Sequence, residues 1–149
     1  MSMDKKNYQQ IVKQKTPPSK SLTNCLKAFV IGGLICVIGQ LISNGLKAAS
    51  LSEDAVKGLT SASMIFLGSF FTAVGVYDKL AKHGGAGTLV PITGFANSIV
   101  SPAMEFKSEG LVLGVGAKMF VIAGPVLVYG ITASVLYGVI YYFIKVLGG

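Results

Sequence analysis

The side chains able to do chemistry are few in this chain, and none forms a recognisable catalytic group. Glu105 and Glu109 stand four positions apart, a spacing that puts two carboxylates on one face of a helix. An acid–base pair needs a partner base, however, and Lys107 between them adds only a further charge. Solvated loop charge is the plainer account of all three. Cys25 and Cys36 lie 11 positions apart, about 16 Å along one helix and too far to bridge, so both read as small apolar packing residues. His83 is the single histidine, which leaves no Cys/His metal spacing; it reads as an interfacial side chain. Gly84-Gly85-Ala86-Gly87 lacks the Lys-Ser/Thr and the preceding strand of a phosphate loop, and reads as a flexible turn. No catalytic residue, metal or cofactor is implied, and an enzyme is a distant reading.

Lys118 is the exception. It has no carboxylate within eight positions and sits between the glycine-rich run LVLGVGA and a long apolar stretch. An unpaired lysine in hydrocarbon costs about 2.5–3.5 kcal/mol or more at the bilayer centre. Either it snorkels to an interface, or it faces an aqueous pathway and attracts anions there. With Asn97, Ser98, Glu105, Lys107 and Glu109, it makes up the set expected along a transport pathway.

The elements that must position these residues belong to a membrane. Residues 119–144 run for 26 positions without a charge, about 39 Å as a helix and enough to cross a hydrocarbon core of roughly 30 Å. The chain is 52% hydrophobic with mean hydropathy +0.65 and only 13% charged, which excludes an ordinary soluble domain. Its net charge of +7 does not indicate nucleic acid: there is no arginine, and Lys5, Lys6, Lys13, Lys15, Lys20 and Lys27 all precede the first apolar run, opposed only by Asp4. Such a cluster marks a cytoplasmic flank touching anionic lipid. The leader is too long for a cleaved signal peptide.

The expected fold is all-α: a polytopic helical membrane protein with three to four transmembrane helices. A flexible basic leader at 1–21 precedes a membrane domain at 22–149, with spans near 28–46, 59–77 and 119–144. Small residues recur on one face of each span: Gly32, Cys36 and Gly39; Ser61, Gly68 and Gly75; Gly130, Ser134 and Gly138. In lipid such stripes let helices approach closely. Gln40 and Asn44, one turn apart, should face protein through an interhelical hydrogen bond or line a pore. Ser52 before Glu53 and Asp54 marks a helix start. Gly124-Pro125 should kink the last span.

Between 84 and 118 the pattern breaks: Pro91, Pro102 and seven glycines interrupt an apolar stretch. Backbone of this kind survives at membrane depth only inside protein or beside water. A re-entrant hairpin is the leading picture, with a Pro-kinked span at 87–104 as the alternative. The N-terminus is expected in the cytoplasm; the C-terminus lies outside with a hairpin, inside with four spans.

The stretch HGGAGTLVPITGFANSIVSPAMEFKSEGLVLGVGAKMFVIAGPVLVYG resembles the stage V sporulation A membrane proteins of endospore-forming bacteria, a likeness extending over residues 22–149. The resemblance implies a channel subunit of the inner forespore or spore membrane. It would move dipicolinic acid with calcium, inward in sporulation and outward in germination. It further implies a mechanosensitive role, an oligomer, and as partners a homologous membrane subunit and soluble or peripheral proteins of the same operon. The competing reading is a non-conducting scaffold that docks cytoplasmic subunits through the basic leader.

Overall fold

The computed structural model describes residues 20–148; most of the leader, with Lys5, Lys6, Lys13 and Lys15, lies outside them. The described residues are almost entirely helical, without strands. Helix α1 spans Ser21–Ala48, α2 Glu53–Ala73, α3 Val76–Gly84, α4 Pro91–Glu105 and α5 Ala117–Leu147. Three helical stretches are long and apolar enough to cross a membrane: Ser21–Ala48, Glu53–Ala73 and Leu111–Leu147.

The helix ends follow local chemistry. Ser52 caps α2, its Oγ accepting from the Ala55 N–H at 3.4 Å, with Glu53 and Asp54 at the positive end of the dipole. α2 stops at Ala73, short of the expected 77, because Gly75 takes a left-handed φ of +70° and turns the chain. Gly75 is therefore a helix stop: a Cβ on it would meet nothing within 4 Å, so it packs no face within this copy. The short α3 that follows buries Tyr77 and carries an Asp78–Lys82 ion pair of 3.3 Å. Pro91 opens α4 at a position where the missing N–H costs nothing.

The final span begins earlier than 119. Leu111–Gly116 forms a π-helical segment that runs directly into α5. Gly114 permits this, since a Cβ there would overlap the Phe106 carbonyl oxygen. Pro125 lies inside α5, and the helix continues through it to Leu147.

The pairings between helices give their directions. The four-residue turn at 49–52 folds α2 back on α1, so that a Cβ on Gly39 would stand 3.6 Å from the Met64 side chain. On α2 and α4 the contacts advance together: Gly68 lies against Thr93 and Ala96, and Thr72 against Asn97. α4 thus runs in the same sense as α2, and α3 with its turn returns the chain between them. On α4 and α5 the order reverses: Pro102 neighbours Val121, and Gly94 neighbours Val126. At 15 residues, α4 is about 22 Å long and falls short of a ~30 Å core.

Among the described residues few side chains are buried inside one copy: Ile35, Val56, Met64, Tyr77, Ala96 and Ala123, with Thr88 and Thr93. Close approach of backbones does most of the joining. A Cβ on Gly32 would stand 3.0 Å from the Gly87 oxygen, and one on Gly87 would overlap the Ala28 backbone. Contacts of this kind replace the water-driven core of a soluble protein.

Candidate functional site

Two polar junctions hold the broken middle segment. The first joins α2, α3 and α4. The Tyr77 hydroxyl, on a side chain only 5% exposed, donates to the Thr88 carbonyl at 2.7 Å and stands 3.3 Å from Thr93 Oγ1. The Thr72 hydroxyl lies 2.6 Å from the Gly68 carbonyl and 2.9 Å from Asn97 Oδ1. One hydroxyl proton cannot serve two acceptors; with the Asn97 amide turned over, its N–H donates to Thr72 and both contacts are met. This junction fixes where α4 begins. Tyr77→Phe is expected to lower stability by about 1–3 kcal/mol, because the buried Thr88 carbonyl loses its donor. Thermal aggregation midpoints in detergent, compared with the exposed Tyr137→Phe, check it.

The second junction is where α4 hands over to α5. Lys118 is half-buried and its Nζ sits 4.2 Å from the centroid of the Phe106 ring. An ammonium over an aromatic face is attracted by the ring quadrupole, typically by about 0.5–2 kcal/mol. Among the described residues no ion pair holds Lys118; the two ion pairs present are Lys57–Asp54 and Lys82–Asp78. Lys118 and Phe106 line a cavity of about 250 Å³ together with Pro102, Glu105, Val121 and Ile122. The cavity is thus lined by one lysine, one exposed glutamate and apolar side chains.

The other pathway candidates lie elsewhere. Asn97 is tied to Thr72 in the first junction. Ser98 donates to the Phe95 carbonyl at 2.8 Å and lines a separate cavity with Pro91 and Val126. Lys107 borders a third cavity with Leu111 and Met119. Glu109 is exposed, its Cβ against Gly114. Lys118 and Glu105 line one cavity together. Among the described residues no cluster of His, Cys, Asp or Glu could hold a metal ion.

The expected packing residues also divide. Gly32 is pressed against the turn at Gly87 and Gly68 against α4, and a Cβ on Gly39 would make ordinary contact with Met64, whereas a Cβ on Gly130 or Gly138 would meet nothing, and Ser134 bonds its own helix at the Gly130 carbonyl. Cys25 and Cys36 are exposed within one copy. Sequence reasoning missed Phe106, Thr72 and Tyr77. A signal for Phe106 existed: a lysine without carboxylates needs water or an aromatic face, and Phe106 is the aromatic beside the charged turn.

The family described as SpoVAC/SpoVAEB sporulation membrane protein matches residues 24–140. The chain belongs to that family. Stage V sporulation protein AC of Bacillus subtilis (strain 168) is 44% identical to it over 141 residues, covering 94% of each chain. No solved structure matches. The match to the SpoVAC/SpoVAEB family takes in all of α2, α3 and α4 and both polar junctions. It is a family of sporulation membrane proteins, in keeping with three helices able to span a bilayer.

Proposed function

We propose that this SpoVAC/SpoVAEB family member is a channel subunit moving dipicolinic acid, with calcium, across the inner forespore and spore membrane. The observation that carries the reading is the short α4, which runs in the same sense as α2 and ends at the Lys118–Phe106 cavity. A helix too short to span, held by buried hydrogen bonds, is what a re-entrant hairpin requires. An aromatic dicarboxylate matches a cavity with an ammonium and apolar walls. Ser98, Lys107 and the Lys118–Glu105 pair line separate cavities inside one copy, which favours a path completed between subunits. Gly130, Ser134 and Gly138 then face another membrane subunit, a homologue of this chain, while soluble or peripheral subunits meet the cytoplasmic side. A response to membrane tension belongs to the same proposal.

Full-length protein in liposomes, alone and with its homologous subunit, tests the reading directly. Flux of dipicolinate above that of empty vesicles is expected; silence in both preparations would leave a docking scaffold. Topology supplies a second check. With the N-terminus cytoplasmic, α1 crosses outward, α2 returns, α4 runs inward again from mid-depth and α5 crosses outward. In a Cys-free background, a cysteine at Ser52 and one added after the C-terminus should both react with an impermeant external thiol reagent. Protection of position 52 would reverse the orientation, and protection of the C-terminus alone would make α4 a full span.

A further inference from the structure

The face of α1 turned away from α2 carries Gly33, Cys36, Gln40 and Asn44, all exposed, whereas Ile31, Gly32, Ile35 and Gly39 face the rest of the protein. Lys27 and Lys47 bracket this helix 20 residues apart, about 30 Å and equal to the hydrocarbon core. Gln40 lies seven residues inside Lys47, about 10 Å below the interface. Its Nε2 donates to Asn44 Oδ1 at 2.9 Å. That bond leaves the Gln40 oxygen, its second N–H and both Asn44 N–H groups without a partner on their own helix. Lipid tails can supply none of these bonds, and burying an amide unpaired is costly.

We propose that this face pairs with α1 of a second copy of the same chain. A carboxamide both donates and accepts, so Gln40 and Asn44 complement themselves: related by a two-fold axis along the membrane normal, the same residues meet at the same depth and satisfy each other. Every copy inserts with one orientation, which makes the two helices parallel. Gly33, beside which a Cβ would meet nothing within 4 Å, and Cys36 keep the face low enough for the helices to approach. The pairing rests on the membrane reading alone and holds whether or not the assembly conducts.

Cys36 is one turn from Gln40 on this face and serves as the reporter. Full-length protein with Cys25→Ser, purified and reconstituted in liposomes without any other subunit, is oxidised with copper–phenanthroline. A Cys36–Cys36 dimer of twice the chain mass is expected as the main product. Gln40→Leu with Asn44→Leu, on a helix face that remains apolar and exposed, should cut its initial rate of formation at least fivefold at equal protein density. The exchanged pair Gln40→Asn with Asn44→Gln, which keeps the amides, should restore most of it. Undiminished cross-linking in the double leucine variant would overturn the proposal. So would a dimer that forms only when the homologous subunit is present.

Discussion

Gly87→Ala is expected to remove most of the folded protein from the membrane fraction, although it adds a single methyl group. The turn carrying Gly87 lies directly on α1, and a Cβ there would overlap the carbonyl oxygen of Ala28 and stand 2.6 Å from its Cα. Both obstacles are backbone of a helix, which cannot step aside as a flexible side chain would. Gly84, three residues earlier, is less tight, with a Cβ falling 2.9 Å from the Ile31 side chain. Relief therefore requires separating α1 from the turn, which also withdraws Gly32 from the Gly87 oxygen. Overpacking of this kind costs about 3 kcal/mol, a large part of the 5–15 kcal/mol that is typical of a whole domain. Gly45→Ala, in open space on α1, is the control and should be neutral or stabilising, since alanine is the better helix former by about 1 kcal/mol. Protein per membrane and the aggregation midpoint in detergent measure both. Equal stability of the two variants would mean that α1 and the turn are not in contact.

The second large effect is expected at Lys118, under the proposed channel function. A unit charge about 6 Å from an ion at an effective dielectric of about 20 contributes roughly 3 kcal/mol. Lys118→Gln should therefore slow dipicolinate flux by tenfold or more, since each 1.4 kcal/mol is a factor of about ten. Lys118→Glu should slow it further and shift selectivity towards cations, because the field at the cavity reverses. Glu105→Gln should act in the opposite direction, removing the carboxylate that lines the same cavity. Lys118→Gln also gives up the contact with Phe106, so Phe106→Leu is the companion variant. It keeps the charge while freeing the ammonium, and should leave anion preference in place. Dipicolinate flux and reversal potentials in liposomes at matched protein density give the answer. Normal flux in Lys118→Glu would leave the side chain as an interfacial anchor.

How much of this was legible in the residues differs from element to element. The long helices were readable because lipid demands long charge-free runs, and Ser52 with its two acids marked the start of α2. Glycine was the ambiguous letter. Gly68 and Gly75 look alike in sequence, yet one is buried against α4 and the other ends a helix with φ of +70°. What distinguishes them is a tertiary neighbour and a backbone angle, and a seven-residue repeat records neither. The same applies to Leu111–Gly116, whose glycines suggested an interruption but form a π-helical continuation of α5. Lys118 was recognised as unusual, but its partner Phe106 lies across a reversal of the chain. Gln40 and Asn44 were read as facing protein or water, and the bond found is within α1 on an exposed face.

The small interior has a thermodynamic consequence. Among the described residues six apolar side chains are buried within a copy, while Phe29, Leu34, Tyr129, Ile140 and many others are exposed. In a bilayer those side chains stay in contact with hydrocarbon whether the helices are packed or apart, so separating them hydrates almost no apolar surface. The heat-capacity increment that curves the stability of soluble proteins should then be nearly missing. Helix association would weaken almost linearly with temperature, with no optimum near room temperature and no loss on cooling. What heat removes is close contact between backbones, and cooling only tightens that.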